Sequence, residues 1–499
     1  MMARRSRWFF RLLLFVLLLV AAAVALAPFV PLTPLKPAVE SRLSATLGRD
    51  VTVSSVRLSL LGGPYLVMDN MTAKEDPDFG EGNFLEANQV RANLALWPLA
   101  LRRQVVIEGL RLQQPQFRFV KNGQGAWSWT TLGQPGAASA ATRRPRNLSV
   151  TLMTALVSAF QVAAGAALNE LKIEKAAVRL VDQSGAQPPE SLYKNVDLHA
   201  SISPHTGASR RATGELRADS DEGDGATMLK AQMPFDLTID RGAPAGLAVQ
   251  GAIGPGQLET RNIAVANFKS SLTMKGGNAV FEQMEADLAE GTLRGRMELD
   301  LSNQKFITEG RVEHLNFDQA LASKLQMPGQ ITGHVNAEFK LAGLMTGFQE
   351  AIPTISGGGR MSSNDLFISS MNLSERVAQA LRIAQIGDMN PGTGVGSIEA
   401  DFQIEQGMVR TSNLRIQQLD GLGDATANEG WLSVAAAPTI NYQAYVTLSA
   451  DATAKAKASN PLLGAAITIF EINNRVTVPV NITGDPRNPQ VQVDVRRLL

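Results

Sequence analysis

The sequence predicts a mainly β protein held to a membrane by one N-terminal helix, and two observations carry that prediction. Residues Leu12 to Ala27 have no polar side chain and follow Arg4, Arg5, Arg7 and Arg11. From Arg49 onward apolar residues recur with a period of two, the spacing of strands with one apolar and one polar face. The 499 residues suffice for more than one compact domain or for one extended repetitive one.

Extended to Val30, the apolar run reaches the ~20 residues that a spanning helix needs, broken only by Pro28. Leu12, Leu19 and Ala27 mark its start, middle and end. Trp8, Phe9 and Phe10 lie on the basic side, where aromatics suit the interface, and the basic end is expected in the cytoplasm. The competing reading is a cleaved signal, because Ala25-Leu26-Ala27 has the small-x-small shape of a cleavage site. Pro28 directly after it resists cleavage, and the run exceeds an ordinary signal core. The expectation is therefore a basic tail over 1–11 and an uncleaved anchor over 12–30, with the remainder delivered across the membrane. The next most apolar segment, 150–168, is interrupted by Thr151, Thr154, Ser158 and Gln161.

Pro28, Pro31, Pro34 and Pro37 keep the exit from the anchor non-helical. Val39, Leu43 and Leu47 at i, i+4 and i+8 then predict a helix over 37–47, started by Pro37 and stopped by Gly48. Alternation begins with Val51 and Val53, continues through Val56, Leu58 and Leu60, and recurs at Val90 to Leu96 and at Phe117 and Phe119. Small and polar residues from Gly133 to Asn147 predict a linker, followed by an amphipathic helix over 148–168. Period two resumes at Leu171, as in Phe235-Leu237-Ile239, Met297-Leu299-Leu301 and Val476-Val478-Val480-Ile482. Its cleanest instance is Ile331-Gly333-Val335-Ala337-Phe339-Leu341. Two further helices are predicted, over 374–386 and 461–471. Lys275-Gly276-Gly277-Asn278 and Gln406-Gly407 read as hairpin turns. The regions that follow are 31–132, 133–170 (linker and helix), 171–330 and 331–499.

Composition excludes several function classes. A net charge of +1 gives no polyelectrolyte signal for nucleic acid. The absence of cysteine removes disulfides, thiol catalysis and thiolate metal sites. Of the four histidines, only His199 and His205 are close, with no carboxylate at ligand spacing, so no metal is expected. Gly357-Gly358-Gly359 has no following Lys-Ser/Thr, and Gly392, Gly394 and Gly396 lack the dinucleotide fingerprint; both runs read as turns or bulges. The acidic stretch Asp219 to Asp224 lacks the spacing of a calcium loop and reads as a hairpin tip. No constellation points to catalysis, and neither catalytic residues nor a cofactor are assigned.

A sheet with one apolar face must cover it. About four short helices stand against roughly twenty or more strands, judged by their spacing. Either the strands pair into tandem β-sandwiches, or they form one long curved antiparallel sheet whose apolar face makes a groove for something else. At about 4.8 Å per strand such a sheet reaches on the order of 100 Å. Periodicity leaves both solutions open.

The order of short motifs supplies a resemblance. Leu47-Gly48-Arg49-Asp50-Val51-Thr52-Val53 is followed by Leu94-Ala95-Leu96-Trp97-Pro98-Leu99. Next come Val106-Ile107-Glu108-Gly109-Leu110-Arg111-Leu112-Gln113-Gln114-Pro115 and Asn122-Gly123-Gln124-Gly125-Ala126-Trp127. Near the other end stand Gly396-Ser397-Ile398-Glu399-Ala400-Asp401-Phe402, Gly421-Leu422-Gly423-Asp424 and Val478-Pro479-Val480-Asn481-Ile482-Thr483-Gly484. In that order the chain resembles the AsmA-like family of bacterial envelope proteins over residues ~1–132 and ~330–499. The linker and helix over 133–168 depart from the family pattern.

The resemblance implies a chorein-like N-terminal region and a likeness to bridge-like lipid-transfer proteins. It implies anchoring in the bacterial inner membrane with the bulk of the chain in the periplasm, and a taco-shaped apolar groove. It also implies a part in phospholipid movement and outer-membrane biogenesis. It transfers no catalytic residues, and it tips the choice toward the groove. Phospholipid, the inner membrane and other envelope proteins, including those of the outer membrane, are the expected partners. Val56, Leu58, Leu60, Val335, Ala337, Phe339 and Leu341 are the candidate groove residues, with ordinary core residues as the alternative for each. The second functional reading is an assembly factor for outer-membrane proteins that carries no lipid and works through exposed strand edges.

Overall fold

In the computed structural model, the described residues are 36–494. Excepted are 132–167, 184–189, 241–247, 323–330, 345–351, 370–374, 380–392, 460–467 and shorter stretches such as 60–63 and 96–97. The expected anchor over 12–30 lies outside them. So do the linker and almost all of the helix expected over 148–168, and most of the helices expected over 374–386 and 461–471. Among the described residues no helix is long and apolar enough to cross a membrane.

Among the described residues the chain is mainly β, with 25 strands, antiparallel and parallel pairings, and few helices. It divides into two compact units, residues 1–261 with 273–277, and residues 262–272 with 278–499.

The first unit opens with helix α1 (Lys36–Leu47), which ends at Gly48 in a left-handed conformation as its sequence predicts. Its strands are β1 (Val51–Thr52), β2 (Ser55–Ser59), β3 (Tyr65–Lys74), β4 (Asn83–Leu94), β5 (Ile107–Gln113) and β6 (Gln116–Lys121). They continue as β7 (Glu170–Asp182), β8 (Glu190–Pro204), β9 (Ser209–Ser220), β10 (Leu229–Asp240) and β11 (Ala248–Thr260). β12 (Ala264–Lys275) is divided between the units.

Two polar side chains of α1 serve the first strands. Ser44 Oγ accepts from the N–H of Val51 and Glu40 Oε1 from that of Val53, both at 2.9 Å. The helix thereby satisfies backbone groups that an edge would leave open.

One pairing differs from the antiparallel expectation. β5 and β6 both run parallel to β7, from Gly109 opposite Glu170 to Lys121 opposite Asp182. Residues 122–169 connect β6 to β7, and a parallel neighbour needs such a long return. Between β5 and β6 the strand breaks at Gln114, with φ 48°, and Pro115, while β7 carries Lys175 at φ 51° alongside. Gln114 N–H still donates to Glu174 O at 2.8 Å.

The first family-like motif meets the segment that follows the last one of this unit at one buried charge cluster. Arg49 donates to Ser128 O at 2.5 Å and Thr131 Oγ1 at 2.7 Å, directly after Trp127. It pairs with Asp76 at 2.9 Å and Glu75 at 3.4 Å, and its guanidinium lies 5.5 Å from the Phe84 ring centre. Burial outweighs the attraction of Arg49 and raises the Glu75 carboxyl to about 7. The cluster ties the start of β1 to the segment after β6, 79 residues away.

The second unit contains β13 (Asn278–Leu288), β14 (Gly291–Asp300), β15 (Lys305–Asn316), β16 (Ile331–Thr332), β17 (His334–Leu344), β18 (Ser356–Ser363) and β19 (Phe367–Ile368). β20 (Thr393–Glu405), β21 (Met408–Leu419), β22 (Gly423–Ser433), β23 (Thr439–Leu448), helix α2 (Ala450–Ser459), β24 (Thr477–Gly484) and β25 (Gln490–Val493) follow. Its described pairings are all antiparallel. Gln406 and Gly407, both at positive φ, make the two-residue turn between β20 and β21 that the sequence predicts.

Three expectations are corrected here. The alternation from Ile331 to Leu341 is not one strand: Gly333, at φ 112°, separates β16, which pairs with β19, from β17, which pairs with β15 and β18. Gly357 to Gly359 form no turn but part of β18, and Gly394 and Gly396 lie in β20. A Cβ on Gly359 would collide with the carbonyl oxygen of Glu338 on β17, so close backbone approach explains its lack of a side chain. The third concerns α2, a helix that the period-two reading missed. Ala452, Thr453 and Ala456 are buried at i, i+1 and i+4, the two alanines in one core with Leu448, Leu419 and Val476, and Ser449 Oγ caps the helix by accepting from Ala452 N–H at 3.2 Å.

Three bulges, one in the first unit and two in the second, share one construction. A residue at positive φ stands where the register slips, and an Asp or Asn side chain on the neighbouring strand accepts its N–H. Asp197 does so for Lys175 at 2.7 Å, Asn336 for His314 at 2.7 Å and Asp424 for Gln418 at 3.2 Å. Each bulge bends and further twists its strand, and each carboxylate or amide satisfies a donor that the ladder has released.

Glu75 supplies a pH test. Its pKa rises from 4.5 unfolded to about 7 folded, so the native state holds a proton that the unfolded chain has released. The associated stability is present below about pH 4.5 and is lost as pH rises to about 7. Glu75→Gln is expected to flatten the pH dependence of the urea midpoint across that window.

Candidate functional site

Alternation puts one apolar face on each unit, and the registers fix which residues stand side by side. In the first unit a row perpendicular to the strands runs Leu58, Leu66, Ala92, Leu110, Leu171, Ala200, Gly214, Phe235 and Ile253. Of the candidates there, Val56 is fully buried opposite Met68, Leu58 is half-buried, and Leu60 lies outside the described residues.

In the second unit an equivalent row crosses nine strands, from Gly295 on β14 through Gly310, Phe339, Gly359, Phe402, Thr411, Gly430 and Tyr442 to Ile482 on β24. Beside it runs Met297, Thr308, Leu341, Gly357, Ile404, Val409, Leu432 and Ile440. Phe339, Leu341, Phe402, Ile404, Val409 and Leu432 are all only half-buried. This band is apolar without being a closed core. Two polar groups within it satisfy each other, as Thr411 Oγ1 and Tyr442 Oη lie 3.1 Å apart.

The same strands are sealed toward their other end. Val335, Val395, Leu419, Leu422, Leu448 and Val478 form a core with Ala452 and Ala456 of α2. Asp424 locks that end by pairing with Arg475 at 2.6 Å, and Arg475 also donates to Leu448 O at 3.0 Å. The candidate set of β17 therefore divides. Val335 is a core residue, Ala337 packs half-buried against the small cluster of Val312, Leu315 and Ala320, and Phe339 and Leu341 line the open band. Alternation gave all four the same face; whether a second layer covers a given point of that face depends on α2 and the bulges.

The polar face carries cross-strand charge pairs, including Lys340–Glu309 at 3.2 Å, Arg360–Asp401 at 3.0 Å and Arg294–Glu313 at 3.3 Å. Arg211 and Asp236 form a two-pronged pair in the first unit. Asp219 and Asp221 stand at the β9–β10 hairpin, where Asp221 meets Lys230 at 3.5 Å.

The histidines combine differently from their sequence spacing. His314 and His334 stack with ring centres 4.0 Å apart. His334 bonds Asp365 at 2.7 Å, which raises its pKa, with Glu290 at 3.5 Å as a further partner. His199 faces Glu170 at 3.3 Å. Among the described residues no group of three or more His, Cys, Asp or Glu side chains could hold a metal ion.

Fold and surface define a β protein with an extended apolar face in each unit, mostly buried in the first and largely half-buried in the second. Residues 1–233 match the AsmA family, and the chain is AsmA-like over that stretch. The C-terminal motifs from Gly396 onward lie beyond the matched residues. No curated protein matches the chain.

The division of β17 predicts opposite outcomes for one substitution. Val335→Asp places a carboxylate in a closed core and is expected to cost several kcal/mol, on the order of 3–5, or to prevent folding. Phe339→Asp and Leu341→Asp leave the carboxylate at a half-open surface and are expected to retain the fold. Circular dichroism and urea unfolding of the three variants check this.

Proposed function

We propose that this chain is a non-enzymatic lipid-handling protein of the bacterial envelope. In this reading, acyl chains of phospholipid lie across the strands on the apolar faces. The observation that carries it is the largely half-buried band of the second unit, two adjacent rows across nine and eight strands whose only described hydrogen-bonding side-chain groups are Thr308 and the mutually bonded Thr411 and Tyr442. Thr308 donates to the backbone of Arg296 at 3.2 Å. Such a surface offers nothing to a polar ligand and favours burial of hydrocarbon at roughly 25 cal/mol per Å².

The basic, apolar N-terminus supports a mooring in the inner membrane, with the basic end cytoplasmic and the strands in the periplasm. The AsmA match over residues 1–233 supports an envelope role, here read as phospholipid movement toward the outer membrane. A site next to a bilayer can collect lipid from it, which gives the anchor a purpose beyond address.

Full-length protein purified from cells and analysed by native mass spectrometry is expected to carry phospholipid. Phe339→Asp with Leu341→Asp is expected to lower the bound fraction roughly tenfold or more, because each carboxylate would have to be desolvated under a chain. Folded wild-type protein without bound lipid would sink the reading.

A further inference from the structure

Three aromatic rings on the apolar faces lie over glycines of the next strand. In the first unit, a Cβ on Gly214 would stand 2.8 Å from Phe235 Cζ. In the second, a Cβ on Gly343 would stand 3.0 Å from the ring of Phe306, and one on Gly430 would collide with the ring of Tyr442. Each pair is directly opposed in register, and each ring is half-buried. A ring covering a glycine fills the place of the missing side chain. It therefore lies along the sheet and lines the face without projecting far above it.

We infer that these ring-over-glycine pairs set the depth of the apolar faces, and so determine how bulky an acyl chain the protein accepts. The inference rests on the lipid-handling reading and names the residues that give that site its selectivity. A flat floor admits a slender linear chain along its length. Methyl branches need depth that the rings occupy. Adding a Cβ at the glycine forces the ring off the sheet and into the space above, while removing the ring deepens the floor. Tyr442 is held in place by Thr411 through their hydroxyls, which makes its pair the most rigid gauge.

The test is competition between dipalmitoyl and diphytanoyl phosphatidylcholine for full-length protein, read by native mass spectrometry. The two lipids share a headgroup and differ by methyl branches along the chains. Wild type is expected to prefer the linear lipid. Phe306→Ala and Tyr442→Ala should shift the ratio toward the branched lipid by about fourfold for each methyl-sized group newly accommodated. Gly343→Ala and Gly430→Ala should shift it the other way.

Opposite shifts from the two kinds of variant exclude a general loss of stability, which would lower both lipids together. The alanine variants at the rings introduce no clash, so the test survives if the glycine variants fail to fold. An unchanged ratio in folded Phe306→Ala and Tyr442→Ala that still bind lipid overturns this inference and leaves the lipid-handling reading intact. Absence of any lipid on folded wild type overturns that reading and this inference with it.

Discussion

The rest of the structure depends on the need to manage, in each unit, an apolar face across many strands with few described helices to put over it. Alternation commits every strand to an apolar and a polar side. Burial of the apolar side is the main favourable term in folding, yet the described helices of ten residues or more are only α1 and α2. The second unit answers with a division of labour along its strands. One end is closed by α2 and tight aliphatic packing around Leu419, Leu422 and Leu448. The other end keeps Phe339, Leu341 and Ile404 half-buried. The closed end supplies the stability that lets the open end remain open.

Bending such a sheet requires local breaks in its ladder, and three of the breaks are built to one pattern. Lys175, His314 and Gln418 adopt positive φ at a register slip, and each has its N–H accepted by an Asp or Asn across the strand pair. Without that acceptor the backbone donor released by the slip would be left to water, since all three bonds are exposed. Asp424 shows how the parts interlock, because it caps the Gln418 bulge and also anchors Arg475 against the end of β23. The family-like motifs are explained in the same terms. Arg49 and the segment after Trp127 form one buried polar lock, and Gln114-Pro115 is the point where the strand following β4 breaks.

Much of this was legible. Helix α1 and its glycine stop, the mainly β class, the Gln406-Gly407 turn and the apolar faces of β10, β14, β17 and β24 all follow from local pattern. The bulges left a signal that strict alternation overlooks: Val312 and Leu315 both face the core three residues apart, as do Ile416 and Leu419. Helix α2 was hidden because Ala452 to Lys457 alternates alanine with threonine or lysine, which imitates period two, and only its packing on Leu448 and Leu419 identifies the buried stripe. The stacking of His314 on His334 joins residues on β15 and β17, a pairing set by the register of those strands.

By itself the sequence determined which side of each strand is apolar, because side chains alternate with a period fixed by the backbone. It also placed a long apolar run behind four arginines and an AsmA-like order of motifs in the chain. Only the tertiary structure decided which apolar residues are core and which line an open surface. Val335 and Phe339 share a strand and a face, and nothing in their neighbours along the chain separates them. Val335 belongs to the closed core that also holds Leu366, Leu419, Leu448 and the buried alanines of α2, and Phe339 lies outside that core. Tertiary structure also set the parallel neighbours of β7 and laid Phe235, Phe306 and Tyr442 over glycines. Those outcomes depend on strand order and register, which long-range hydrogen bonding fixes and local pattern does not.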